Sequence, residues 1–286
     1  MPSIVGLLVV LICVFGGYAL ERGNFSVIIQ PVEWLIIFGA AFGALFTASS
    51  GPALKGIFQG AIKALTKPQI YTKQDFIDLL LLLNDIFRKI KKEGLISIEQ
   101  DIENPESSRI FSSYPKILNQ HVEIDFIKNT FRSILTTNIT HFELETLLEN
   151  EIEITYQESK NPVERLEKLA DSMPGLGLVA AVLGIILTMG KINEPPEVLG
   201  HHLSIALAGT FFGILTCYGI MAPLAQKMEF FCEQQKEYLN VIKIAIVHFI
   251  GGGAPQIAVE FARRIISPHL RPSFEELENL IRGKKR

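Results

Sequence analysis

Cysteine is scarce in this chain. Cys13, Cys217 and Cys232 stand far apart with no CxxC pair, which excludes a disulfide framework and a thiolate metal site of ordinary spacing. The six histidines show no ligand spacing either, so neither a metal nor any other cofactor is expected. No HExxH, P-loop, nucleophile elbow or carboxylate pair occurs, and an enzyme is not expected. No stretch alternates apolar and polar residues with period two, so no sheet is expected. The net charge of −3 decides nothing, and no nucleic-acid partner is expected. The most informative scarcity is local. Four apolar runs contain no carboxylate: Ser3 to Leu20, Trp34 to Ala48, Met173 to Gly190 and Leu203 to Leu224.

What is present is segregated. Mean hydropathy is positive, yet 20% of the residues are charged, so apolar and polar stretches alternate on a scale longer than a helix turn. The runs match the roughly 20 residues that cross a bilayer, although the second is short. A secretory signal competes for the first run, because Gly17-Tyr18-Ala19 is small at both ends; the opening MPSIV lacks the positive segment such signals carry, so a retained span is expected. The fold class that follows is all-α and polytopic, with four transmembrane helices and a helical cytoplasmic region. Residues 1–50 hold the first two spans, 51–170 a helical cytoplasmic domain, 171–225 the last two spans, and 226–286 a cytoplasmic helical tail.

The third run, MPGLGLVAAVLGIILTMG, is built largely of small residues. At helical spacing Pro174, Gly177, Ala181, Gly184 and Thr188 share a face without a large side chain, and Ala180 repeats the spacing with Gly184. In lipid, where apolar surface gives helices no reason to associate, such faces let backbones pack closely. Another element is therefore expected against it. In the fourth run Ala206, Thr210, Gly213 and Cys217 align in the same way, and Pro223 follows near its end.

The polar segments read as helices. Thr72 with Asp75 forms a capping box, the apolar positions run from Phe76 to Ile90, and Gly94 ends the helix. Arg88, Lys89, Lys91 and Lys92 crowd that end. Ser97 with Gln100 predicts a second box opening a short acidic helix through Glu99, Asp101 and Glu103, interrupted by Pro105. Amphipathic helices are expected over Ile124 to Leu135 and Phe142 to Ile154. In the tail, Gly251 to Gly253 with Pro255 marks a break, Ser273 with Glu276 a cap, and the chain ends in a basic run. Of 27 Lys and Arg residues, only Arg22 and Lys191 lie in the short links between spans. The positive-inside rule then places both large polar regions and both termini in the cytoplasm.

Carrying an ion through a membrane calls for a group that binds and releases it at depth, and an intramembrane carboxylate is the usual candidate despite a cost of about 2.5–3.5 kcal/mol. With none in the four runs, this chain can line a path while a partner supplies the carrier. A scaffold without ion traffic would explain the small residues equally well.

The segments ADSMPGLGLVAAVLG, AGTFFGILTCYGIMAPLA, SIEQDIENPESSRIFSSYP, APQIAVEFARR and RPSFEELE closely resemble the MotA family of flagellar stator A subunits, within the MotA/TolQ/ExbB proton channel superfamily. The resemblance covers nearly the whole chain. It implies a multi-pass protein of the bacterial inner membrane, several copies of which surround a MotB dimer whose aspartate carries the ion, and which turns ion flow into torque on the rotor protein FliG. It further implies that Pro174 and Pro223 shape the channel mouth and couple proton transfer to movement, that Thr210 lines the path, and that Ala181, where sodium-driven relatives carry threonine, favours protons. Thr188 is a second candidate hydroxyl. Lys91 and Glu99 align with charged residues that meet FliG; lysine stands where the best-known pattern has arginine, which keeps the charge and loses the planar fork. Arg88, Lys89 and Lys92 are further candidates for that contact. Each residue also has a plainer reading: helix punctuation for the prolines, a hydroxyl bonded back to its own helix for the threonines, and charges suited to helix dipoles for the two clusters. The related ExbB and TolQ energisers of outer-membrane processes are the alternative function; they generally have three spans, and the SIEQDIENP segment speaks for the motor.

Overall fold

The computed structural model describes residues 2–283, and the basic end expected beyond them lies outside the described residues. Every regular element among them is helical: α1 (Pro2–Leu20), α2 (Phe25–Ile28), α3 (Pro31–Ala48), α4 (Gly51–Thr66), α5 (Lys73–Glu93), α6 (Glu99–Glu103), α7 (Arg109–Ser112), α8 (Pro115–Leu118), α9 (His121–Thr136), α10 (His141–Met189), α11 (Pro196–Thr216), α12 (Ala222–Ile250), α13 (Pro255–Ile265) and α14 (Phe274–Gly283). Four helical stretches are long and apolar enough to cross a membrane: 3–20, 25–48, within 141–189 and within 196–250. The chain is a multi-pass membrane protein.

Two of these helices differ from expectation. The amphipathic helix anticipated over Phe142 to Ile154 does not end there but continues as α10 for 49 residues, with Pro162 and Pro174 inside it. The fourth span likewise runs into the tail, because α11 passes through a π-helical turn at Cys217–Met221 straight into α12. Proline removes one N–H and its ring crowds the carbonyl four residues back, which bends a helix without stopping it when flanking turns hold. For Pro223 that carbonyl belongs to Gly219, inside the π turn. The wider i→i+5 spacing there gives the ring room.

The chain divides into two compact units, residues 1–68 with 159–231, and residues 69–158 with 232–286. In the first, α1 and the C-terminal part of α10 turn large side chains outward, while the contact between α10 and α11 is made by small ones. Leu178, Val179, Leu183, Ile186 and Leu187 of α10 are exposed, as are Val5, Leu8, Val9 and Ile12 of α1. Phe15 packs its ring 6.3 Å from Phe211, and Trp34 lies edge-on 5.3 Å from Phe212. At the end of α3 the Arg165 guanidinium donates to the Ala48 carbonyl, one of the unpaired carbonyls every helix end leaves.

The second unit has a conventional apolar core. Leu79, Leu80, Leu82, Leu83 and Phe87 of α5 are fully buried with Ile127 and Phe131 of α9 and Ile242 and Ile246 of α12. Phe87 stacks on Phe249 at 4.3 Å and Tyr71 on Tyr238 at 4.2 Å. Tyr71 donates to the buried Glu123, which also accepts from Gln235 at 2.9 Å; burial and the neighbouring carboxylate push the Tyr71 hydroxyl far above the usual phenol range. The Thr72–Asp75 and Ser273–Glu276 boxes form as expected, and Gly94 ends α5 at φ +87°, a conformation that favours glycine. The Ser97–Gln100 box does not form. Residues Leu95–Ile98 make a 3₁₀ turn in which Ser97 Oγ donates back to the Gly94 carbonyl at 2.7 Å, so α6 starts without a side-chain cap.

Candidate ion path and exposed charge cluster

The element lying against the small-residue face of α10 is α11 of the same chain. A Cβ placed on Gly177 would lie 2.7 Å from the Gly209 carbonyl oxygen and 3.2 Å from Thr210 Cα; one on Gly184 would lie 2.7 Å from Ala206 Cβ; one on Gly213 would meet the Met173 carbonyl oxygen at 2.5 Å. As the number rises on one helix it falls on the other, so the pair is antiparallel and in backbone contact for three turns. Met173, Gly177, Ala180 and Gly184 form the seam. It is turned slightly from the face expected through Pro174 and Ala181, because Ala180 rather than Ala181 meets Gly209.

Four of the expected path residues, Pro174, Ala181, Thr188 and Thr210, sit on this pair, and Pro223 lies in α12. Ala181 is buried and Pro174 half-buried. Thr188 is 3% exposed, and its hydroxyl donates to the Gly184 carbonyl at 2.8 Å, the plainer of its two readings. Thr210 is half-buried beside Gly177, while Pro223 is exposed one residue into α12.

One acidic residue escaped the sequence reading. The second span begins at Pro31, not Trp34, and so carries Glu33 in its first turn. Glu33 is 7% exposed, and its Oε2 has no hydrogen-bond partner. The expectation that the four spans contain no carboxylate therefore fails. The signal was legible: proline at the first helical position with an acid two residues later marks a helix start, and the apolar run was cut short of it.

The charge cluster lies at the C-terminal end of α5. Asp85, Arg88, Lys89, Lys91 and Lys92 line an open cleft of about 520 Å³. Within it, Lys89 pairs with Asp101 at 2.6 Å, and Asp101 also accepts from Ser108 at 2.6 Å. Tyr114 donates to Asp85 at 2.8 Å, and burial together with that carboxylate raises the Tyr114 hydroxyl well above its ordinary range. The Lys89–Asp101 pair ties the end of α5 to α6, so Lys89 serves the fold. Lys91 and Glu99 are exposed and Arg88 is half-buried; none of the three has an ion-pair partner among the described residues.

Comparison with known proteins agrees with this architecture. Residues 4–94 match the family model of the motility protein A N-terminal region, and residues 119–240 that of the MotA/TolQ/ExbB proton channel family. Motility protein A of Salmonella typhimurium is 40% identical over 283 residues, covering 99% of this chain and 96% of that protein. Motility protein A of Escherichia coli is 39% identical, covering 100% and 96%. The solved structure of C. jejuni MotAB superposes with a TM-score of 0.77 at 21% identity, covering 96% of this chain and 98% of that one, which speaks for the fold. With both regions matched and identity sustained from end to end, the chain belongs to the motility protein A family.

Proposed function

We propose that this chain is the channel-lining, rotor-facing subunit of a flagellar stator, and that with a MotB-like partner it converts proton flow into torque on FliG. The observation that carries the reading is the whole-length identity to motility protein A, 40% over 283 residues, together with the seam of small residues between α10 and α11. A match confined to the channel-family segment would fit an ExbB or TolQ energiser equally well; the N-terminal motility match over 4–94 favours the motor.

The protein lies in the bacterial inner membrane with both termini cytoplasmic, as the charge asymmetry across the spans supports. Residues 1–50 and 171–225 cross the bilayer, and 51–170 and 226–286 face the rotor side. Several copies surround a MotB dimer whose aspartate carries the proton past Thr210 and Ala181, with Thr188 farther along α10. Alanine at 181 leaves a desolvated sodium ion without an extra oxygen ligand. Pro174 lies inside α10, where a bend requires no broken hydrogen bond. One proton crossing 100 mV releases about 2.3 kcal/mol, comparable with the ~3 kcal/mol by which an interior proline disfavours a straight helix. A proline bend can therefore be reset by one proton. Pro223, beside the π turn, bends the other helix of the pair. The exposed Lys91 and Glu99, with Arg88 next to them, meet opposite charges on the rotor.

The test uses cells that carry this chain and its partner. Swimming is expected to continue without sodium and to stop when the proton gradient is collapsed. Pro174→Ala is expected to leave complex recovery from membranes intact while abolishing rotation. Speed that follows external sodium at fixed proton-motive force overturns the proton assignment, and normal swimming of Pro174→Ala returns that residue to helix punctuation.

A further inference from the structure

A buried acid in a span is a costly thing to keep, and Glu33 is such an acid with no visible structural task. Its side chain caps nothing, for the N-cap of α3 is Gln30 and makes no side-chain hydrogen bond. No ion pair reaches it among the described residues, and Oε2 is without a donor. On the α10–α11 side it meets small residues. A Cβ on Gly209 would lie 2.9 Å from Glu33 Oε2, 3.0 Å from Ala180 Cβ and 3.3 Å from the Gly177 carbonyl oxygen. The carboxylate thus stands over the seam of α10 and α11, beside the residue that precedes Thr210, with no Lys, Arg or His of either helix in that stretch. The next residue repeats the pattern. Trp34 Nε1 is buried without an acceptor, its ring edge-on to Phe212 one turn along α11. Two orphaned polar groups in a single turn, one an acceptor and one a donor, are what a water-lined path requires and what a sealed apolar interface excludes.

We propose that Glu33 is a second protonatable site on the conduction path, supplied by this chain in series with the partner's carboxylate. The inference rests on the channel reading above. A hydronium ion gives its proton to the Glu33 carboxylate and leaves as water; the neutral carboxyl then gives the proton to a water on the Thr210 side, restoring carboxylate and hydronium. Oε2 has no fixed donor, so that oxygen is open to a proton arriving from water and leaving to it. A side chain at position 209 would crowd Glu33 Oε2 and Ala180 Cβ.

The experiment uses the complex with its partner subunit, reconstituted in vesicles and also scored for motility. Glu33→Gln, which keeps shape and cannot titrate, is expected to reduce proton influx at least about tenfold, in the range positioned acid–base groups contribute, with the complex recovered in normal yield. Glu33→Asp is expected to restore much of the influx. Infrared difference spectra of the purified complex across a pH series are expected to show a protonated-carboxyl band that Glu33→Gln removes. Wild-type influx in Glu33→Gln, or an unchanged band, overturns the relay while the channel reading stands. Influx lost equally in Gln and Asp marks a packing role and also overturns it. A wild-type complex that conducts no protons refutes the channel reading itself.

Discussion

Between Gly177 and Gly209 there is no room for a methyl group, whereas around Leu83 and Phe87 the space is filled by branched and aromatic side chains with essentially no exposure. The two units of one chain thus solve packing by opposite means. Burial of apolar area away from water stabilises a core at about 25 cal/mol per Å², and in the unit of 69–158 and 232–286 large side chains supply that area. In lipid that drive is absent, and association depends on how closely backbones approach, so the contact between α10 and α11 gains by making its side chains small. The seam of small residues brings two backbones into contact, and the tightly filled core holds exposed charges at fixed positions.

The largest effect is expected where a side chain is added to the seam. Gly213→Leu drives carbon into the Met173 carbonyl, and recovery of assembled complex from membranes should fall at least about tenfold with motility lost; normal assembly would mean that α10 and α11 part easily. The same kind of change reversed, Leu83→Ala in the other unit, should lower the stability of that region by about 2–5 kcal/mol, the usual span for a buried leucine, as read by denaturant unfolding followed with hydrogen exchange at α5 amides. A loss below 1 kcal/mol would show that the core collapses around the gap.

The smallest structural effect, and the sharpest test of division of labour, concerns charges only a few residues apart. Lys91→Glu and Glu99→Lys break no contact in the fold, so thermal unfolding should be unchanged while torque falls, with partial rescue by charge reversal on the rotor. Surface pairs contribute only about 0.2–1 kcal/mol each, so a single reversal should weaken rotation without ending it. Lys89→Glu should behave differently and loosen the α5–α6 junction, because Lys89 is held by Asp101. Wild-type swimming with Lys91 and Glu99 both reversed would end their assignment to the rotor.

Much of this was legible from local pattern. The apolar runs mark all four spans because hydropathy over some 20 residues is a property of the stretch itself. Thr72 with Asp75, Gly94 and Ser273 with Glu276 act within one turn of their own backbone, so their caps could be named from spacing alone. Small residues at helical intervals announced that α10 would be met closely. What that pattern could not reveal was by what, or along which edge: Ala180 and Ala181 are equally small, and only the antiparallel placement of α11 selects the first. Nor could local pattern join Phe142–Ile154 to the third span, because whether Pro162 and Pro174 end a helix or merely bend it depends on what supports the turns on either side. Ser97 and Gln100 had the right spacing for a cap and lost to a 3₁₀ turn set by Gly94. Glu33 is the clearest case. Its charge and its place near a proline can be read in the sequence, but its burial, and the placing of an Oε2 without a partner beside Gly209, 176 positions along the chain, were decided only by the tertiary structure.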